Sequence, residues 1–285
     1  MKKLLQGVAL VSTAAVCQTA SALVIDATST DGTAMANALL GSGVTISNAN
    51  YIGGPNQSGF FSDGAAVLNI DEGLIMTTGD ATDAPGPNSA GGTTTVVGGA
   101  GDADLSALIG GATTNDAAVL TFDFTTTTGD LFFNYVFASE EYNEFVGTQF
   151  NDVFAFFVNG VNIAEAPDGQ PVSINNVNCG NPFSGAGPNC DFYNNNETGV
   201  FDIEYDGFTD VFTASVLGLD PEATHSMKIA IADTGDSSWD SAVFLQGGSF
   251  TDAPPPVSTV PEPGSLALML LGLGGLLANR RRLHS

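Results

Sequence analysis

Positive charge is almost absent from this chain. Of 285 residues only six are basic: Lys2, Lys3, Lys228, Arg280, Arg281 and Arg282. Five of them lie at the two ends, so the long stretch between carries Lys228 alone against thirty of the 31 acids, Glu262 being the other. A surface without cations cannot neutralise phosphates, which excludes nucleic acid as a partner. It repels itself and attracts cations instead. Histidine is nearly missing as well. Inside the long stretch a Ser-His-Asp arrangement would have to use His225, which follows Pro221-Glu222-Ala223-Thr224 with nothing marking a serine partner. That histidine reads as a surface or hydrogen-bonded residue. Cysteine and histidine are too few for a zinc site of the usual kinds. Gly91-Gly92 and Gly98-Gly99 lack the lysine and helix that a phosphate cradle needs.

What is present argues for a folded β protein. Hydrophobic residues make up 43% of the chain, with 19 Phe, so the acidity does not imply disorder. Charged residues are only 13%, which leaves Asn, Thr, Ser and Gly to cover the surface. A chain of this length can bury a substantial core without obligatory disulfides.

Both ends read as sorting segments. Residues 1–22 have a charged start at Lys2-Lys3, an apolar stretch from Leu4 to Val16, and small residues at Ala20-Ser21-Ala22. This is a signal peptide, and the mature chain is expected to begin at Leu23. Cys17 raises a lipoprotein alternative, but Val16 before it fits a lipobox poorly. At the other end, residues 253–260 form a Pro-rich linker. Residues 261–285 then hold Pro261-Glu262-Pro263, an apolar run of 13 residues from Leu266 to Ala278, and Arg280-Arg281-Arg282. The run is short against the ~17–25 residues of a self-sufficient spanning helix, although Leu283 and snorkelling arginines extend it. Arginines after the run place the C-terminus in the cytoplasm.

Motif, apolar run and arginine cluster, in that order, resemble the PEP-CTERM signal of exported bacterial proteins. The resemblance implies an exosortase as sorting partner, acting on Pro261, Glu262 and Pro263. It also implies export across the inner membrane, transient insertion of a transmembrane helix, and release to the cell surface or the extracellular matrix.

Residues 23–252 remain as one domain. Period-2 alternation dominates it. Ala118–Phe124 sets Leu120, Phe122 and Phe124 on one face, and Leu131–Ala138 sets Phe133, Tyr135 and Phe137 on one face. With Thr128-Gly129-Asp130 between them, this pair is expected to be a hairpin. Asn159-Gly160 predicts a second hairpin, from Asp152–Val158 into Val161–Ala164. Further strands are expected at 171–177, 200–205, 210–217, 226–232 and 241–250. Short helices are expected at 33–40, with Asp31 near its start, and at 102–109. The Gly/Thr-rich stretch 85–101 reads as a long surface loop. The fold class that follows is all-β, an antiparallel β-sandwich, jelly-roll-like, with one or two short helices. Cys179 and Cys190 bracket a turn-rich loop, and in an oxidising compartment they are expected to form a local disulfide.

Several stretches resemble one family. They are Gly73-Leu74-Ile75-Met76-Thr77-Thr78-Gly79, Phe137-Ala138-Ser139-Glu140-Glu141-Tyr142, Phe150-Asn151-Asp152-Val153-Phe154-Ala155-Phe156-Phe157, Tyr205-Asp206-Gly207-Phe208-Thr209, and Ile231-Ala232-Asp233 through Asp240-Ser241-Ala242-Val243-Phe244-Leu245. Together they are similar to the choice-of-anchor L domain, from about Thr33 to Phe250. The resemblance implies a β-rich extracellular module with interchangeable C-terminal anchors, and it leaves activity open.

The acid-rich motifs are the candidate chemistry. Glu140, Glu141, Asp152, Asp233, Asp236 and Asp240 supply hard oxygen ligands of the sort Ca²⁺ takes, six to eight at a time. The spacing is not that of an EF-hand, and Asp and Asn are also ordinary turn formers. Carboxylate-pair hydrolysis of glycans is the enzymatic alternative, but adjacent strand residues point to opposite faces, so Glu140 and Glu141 cannot pair with each other while the strand continues. Trp239, in a turn among acids, is expected to be a partly buried turn aromatic; exposed, it could stack on a sugar. The reading is a non-enzymatic exported domain with a structural, adhesive or carbohydrate-binding role, partnered by extracellular polysaccharide and supported by calcium.

Overall fold

The computed structural model describes residues 22–254. The expected signal peptide, the transmembrane helix and the sorting-signal residues Pro261–Pro263 and Arg280–Arg282 lie outside the described residues. Among the described residues no helix is long and apolar enough to cross a membrane.

Among the described residues fourteen strands form two antiparallel sheets. In chain order they are β1 (Val24–Thr28), β2 (Val44–Ile52), β3 (Ser58–Ser62), β4 (Gly73–Thr77), β5 (Thr114–Thr126), β6 (Leu131–Ser139), β7 (Val153–Val158), β8 (Val161–Asn162), β9 (Val172–Ser173), β10 (Tyr193–Asn195), β11 (Gly207–Thr209), β12 (Phe212–Val216), β13 (His225–Thr234) and β14 (Ser241–Gln246). The first sheet runs β1-β3-β4-β14-β6-β11-β10, with β12 also on β6. The second runs β2-β5-β13-β7-β8, with β9 also on β7. Helices are short: α1 (Gly32–Leu39), α2 (Ala65–Leu68) and α3 (Ala103–Leu108). Asp31 caps α1 by accepting from the backbone N–H of Thr33 and Ala34, and Asp102 caps α3 in the same way.

The alternating faces meet between the sheets. Phe133, Tyr135 and Phe137 of the first sheet pack on Phe154, Phe156 and Ile229 of the second, with Phe133–Phe156 and Tyr135–Phe156 ring centroids 4.7 and 5.2 Å apart. Edge-to-face pairs of this sort add to plain area burial. Both sheets are also covered outside. Phe61, Ile75, Val136, Tyr205 and Phe244 form one outer cluster, and Leu105 of α3 packs on Val119, Ala155 and Ala230 in the other. Central strands buried on both faces read as continuous apolar runs, as Val153–Val158 does.

The structure corrects the first expected hairpin. β5 pairs with β2 and β13, and β6 pairs with β14, β11 and β12, so the turn at Thr128–Asp130 carries the chain from one sheet to the other. Besides local bonds such as Asp130 N–H to Thr128 Oγ1, the turn is held to distant chain: Thr127 N–H donates to Gly43 and Leu219 N–H to Gly129. The two apolar faces therefore oppose each other across the core. The second hairpin is present, with Asn159 and Gly160 both at positive φ joining β7 to β8. Of the expected strand at 171–177 only β9 forms, and at 200–205 there is an isolated bridge between Ile203 and Pro85.

Candidate functional site

The stretch 85–101 is a strap fastened to buried carboxylates, first to those around β6, β11 and β14 of the first sheet and then to Asp116 in β5 of the second. Along its course Asn88 Nδ2 donates to Asp206 at 2.6 Å, Ser89 N–H and Oγ donate to Glu204 at 3.0 Å each, and Gly92 N–H donates to Glu140 Oε2 at 3.2 Å. Thr93 Oγ1 reaches Glu204 at 2.6 Å, Thr95 N–H reaches Asp240 Oδ2 at 2.8 Å, and Thr95 Oγ1 reaches Asp83 at 3.0 Å. Val97 N–H at 3.1 Å and Gly99 N–H both donate to Asp116. The composition of the strap follows from this duty. Small hydroxyl residues bring donors close, and glycine lets the backbone approach. Gly92 has φ +129°, and a Cβ there would lie 2.7 Å from the Trp239 ring.

The acids come from the ends of ordered elements. Asp116 is in β5, Glu140 directly follows β6, Glu204 and Asp206 precede β11, and Asp240 precedes β14. All five are buried. Burial, followed by the Asp206 charge, pushes Glu140 up to about 9. Burial likewise pushes Asp206 and Asp240 up to about 7, against the lowering effect of the Asn88 and Thr95 donors respectively. Even so, Glu140 Oε1, Asp206 Oδ2 and Asp240 Oδ1 have no hydrogen-bond partner.

A second acidic nest caps the end of the inter-sheet core. Asp152 accepts from Thr234 N–H at 2.9 Å and lies 2.6 Å from Ser241 Oγ, which in turn is 2.7 Å from Ser139 Oγ. Asp233 is 1% exposed with both carboxylate oxygens unpartnered. Burial first, then neighbouring carboxylates, raises Asp152 and Asp233 above the ordinary carboxylate range. Glu141 faces this nest and is pushed up to about 9 by burial and then by Asp152.

The six acids singled out in the sequence thus separate. Glu140 and Asp240 lie beneath the strap. Glu141, Asp152 and Asp233 sit at the end of the core, and Asp236 is exposed, accepting from Ser238 N–H. β6 ends at Ser139, so strand alternation does not govern Glu140 and Glu141; the turn that follows sends the first under the strap and the second toward the core nest. Among the described residues no three carboxylate, histidine or cysteine side chains already converge as metal ligands. Sequence reasoning missed Asp83, Asp116, Glu204 and Asp206, whose signal was the run of Ser, Thr and Gly donors that must go somewhere.

Cys179 and Cys190 are joined in a disulfide. His225 is buried, with Nδ1 3.0 Å from Asn159 Nδ2 and Nε2 2.9 Å from the Asp220 carbonyl oxygen, so both ring nitrogens are engaged. Lys228 lies on the outer face of the second sheet, 2.6 Å from Asp102 and 2.7 Å from Asp104. Trp239 is half-buried. It stands edge-on to Phe145 at 4.5 Å, and Phe145 meets Phe150 at 5.1 Å.

Two family models match the chain. The family model for the choice-of-anchor L domain matches residues 24–251, and that for the PEP-CTERM protein-sorting motif matches residues 259–282. No curated protein and no solved structure gives a match.

Proposed function

The chain belongs to the choice-of-anchor L domain family and carries a PEP-CTERM sorting motif, and from that premise we propose that it is a non-enzymatic, exosortase-processed surface or matrix protein that holds extracellular polysaccharide. Its role is structural or adhesive. The mature domain spans residues 23–252, and the tail inserts transiently in the inner membrane before processing.

The observation that carries the carbohydrate reading is the aromatic group Phe145–Phe150–Trp239. All three rings are half-buried, and exposed Glu144 and Asp236 lie close by in the chain. Rings that are anchored on one side and open on the other suit the apolar face of a sugar, while flanking carboxylates accept from its hydroxyls. The two acidic nests serve the fold in this reading, because Glu140, Glu204, Asp206 and Asp240 accept from strap donors and Asp152 from Thr234 and Ser241.

A polysaccharide pull-down with the full-length protein tests the proposal. Retention on a matrix polysaccharide that drops at least about tenfold in Trp239→Ala and Phe145→Ala, with melting unchanged, supports it; tenfold corresponds to about 1.4 kcal/mol, within the range of one stacking contact. Release of oligosaccharide that disappears in a single carboxylate variant such as Glu141→Gln overturns it in favour of glycan hydrolysis.

A further inference from the structure

The chain has a single tryptophan, Trp239, and its backbone sits at φ +65°, a region that bulky side chains rarely adopt. The strap and a neighbouring loop hold it there. Its N–H donates to Thr94 Oγ1 at 2.7 Å, its ring lies against Gly92, and Phe145 stands edge-on to it. A half-buried ring kept in so uncommon a conformation is a fixed platform. We propose that the polysaccharide taken at this platform is cationic, an amino-sugar polymer whose amines are free and not acetylated. The proposal rests on the carbohydrate reading above and names the class of glycan.

Charge selects the ligand. Glu144 and Asp236 are exposed on the two loops that carry the rings. Gly235 packs on Phe150, where a Cβ would stand 3.2 Å from the ring, and so brings Asp236 beside it. Phe145 N–H donates to the Glu141 carbonyl oxygen at 3.1 Å, which ties that ring to the turn carrying Glu141 and Glu144. Glu141 is buried, with Oε2 unpartnered. After burial and Asp152, the charges of Asp236 and Glu144 raise it, so the three carboxylates share one field. No cation balances that field. Lys228 is the one basic residue between positions 23 and 254, and Asp102 and Asp104 hold it on the outer face of the second sheet.

A uronate polymer is repelled by such a field. A neutral polymer gains stacking and hydroxyl hydrogen bonds and nothing further. A protonated amine gains three things more. It forms a charge-assisted hydrogen bond with Glu144 or Asp236. It is attracted to the face of Trp239, the side chain whose ring binds cations best. It is also steered in by the acidic surface as a whole. That last attraction is common to the entire domain and fixes no position. The rings and the two exposed acids fix it.

The test is a fluorescence titration of the full-length protein at physiological ionic strength, in which Trp239 is the sole tryptophan reporter. The probes are a glucosamine oligomer, the same oligomer N-acetylated, a galacturonate oligomer and oligolysine. The free-amine oligomer binds at least about tenfold more tightly than its acetylated form, and galacturonate leaves Trp239 unmoved. Glu144→Gln combined with Asp236→Asn, both at exposed positions, cuts that advantage to about threefold or less. An advantage that survives intact in the double variant belongs to the acidic surface at large and overturns the proposal. Oligolysine that matches the free-amine oligomer at Trp239 makes the ligand a basic peptide and overturns it as well. Acetylated or galacturonate oligomer that binds as tightly, and is lost in Trp239→Ala by calorimetry, overturns the amine preference and leaves the carbohydrate reading standing. Silence of Trp239 toward every glycan, with no heat of binding, removes both.

Discussion

Asp152 and Asp233 lie side by side at the end of the β7–β13 ladder, close enough for the Asp152 charge to raise Asp233. Val153 pairs with Ala232, and the same register carried one step further sets the two carboxyls opposite each other at the end of the inter-sheet core. Like charges directly opposite in a sheet destabilise it. The pair is tolerated because one member is hydrogen-bonded, Asp152 to Thr234 and Ser241, and because burial favours the protonated form of both.

That relationship reverses the usual pH dependence. Glu141, Asp236 and Asp240 also face Asp152 and add to the effect. The native carboxyls bind protons more tightly than the unfolded chain does, so their contribution is fully present below the ordinary carboxylate range near pH 4. It is lost as pH rises through the native value, about 7 for Asp152. In chelator, the domain is therefore more stable at pH 5 than at pH 8, as measured by urea midpoints. Asp233→Asn flattens the profile and gains on the order of 1 kcal/mol at pH 8. A profile that rises from pH 5 to pH 8 contradicts the expectation.

The strap needs glycine where its backbone passes close to other groups, and Gly92 is the sharpest case for a test. Gly92→Ala forces a side chain into φ +129° against the Trp239 ring. The expected cost is about 1–3 kcal/mol, accompanied by faster cleavage within 85–101. Gly98→Ala has φ +74° but nothing within 4 Å, so it carries backbone strain alone and costs less. Urea melts of the two variants, compared side by side, check this.

The disulfide stiffens a loop of sequence separation 11. Cys179→Ser with Cys190→Ser lowers stability by about 2–3 kcal/mol on the chain-entropy account, read as a shift in denaturant midpoint. The aromatic group lies on other loops, so polysaccharide retention is unchanged.

The sheets were legible in the sequence where one face alternates. Leu120-Phe122-Phe124 and Phe133-Tyr135-Phe137 marked their strands and their inward sides. What could not be read was which strand lies beside which. A Gly turn between two alternating runs serves a hairpin and an arch between sheets equally well, and at Gly129 the choice is made by remote partners, Gly43 and Leu219. Glu140 and Glu141 show the same division. They lie just past the end of β6, so period 2 does not set their separation, and Glu204 and Asp206, which join Glu140 under the strap, come from a segment more than 60 residues away. Long-range pairing of donors with acids has no local signature. The strap is the surface loop its Thr, Ser and Gly residues suggest, none of residues 85–101 being buried; what the sequence did not show is that its donors reach buried carboxylates.

The central claim is that buried carboxylates hold the strap, and amide hydrogen exchange tests it most directly. The account predicts slow exchange at Ser89, Gly92, Thr95, Val97 and Gly99, whose N–H groups donate to Glu204, Glu140, Asp240 and Asp116, at rates close to those of the core strands. Exchange at these five amides as fast as in an exposed loop would contradict it.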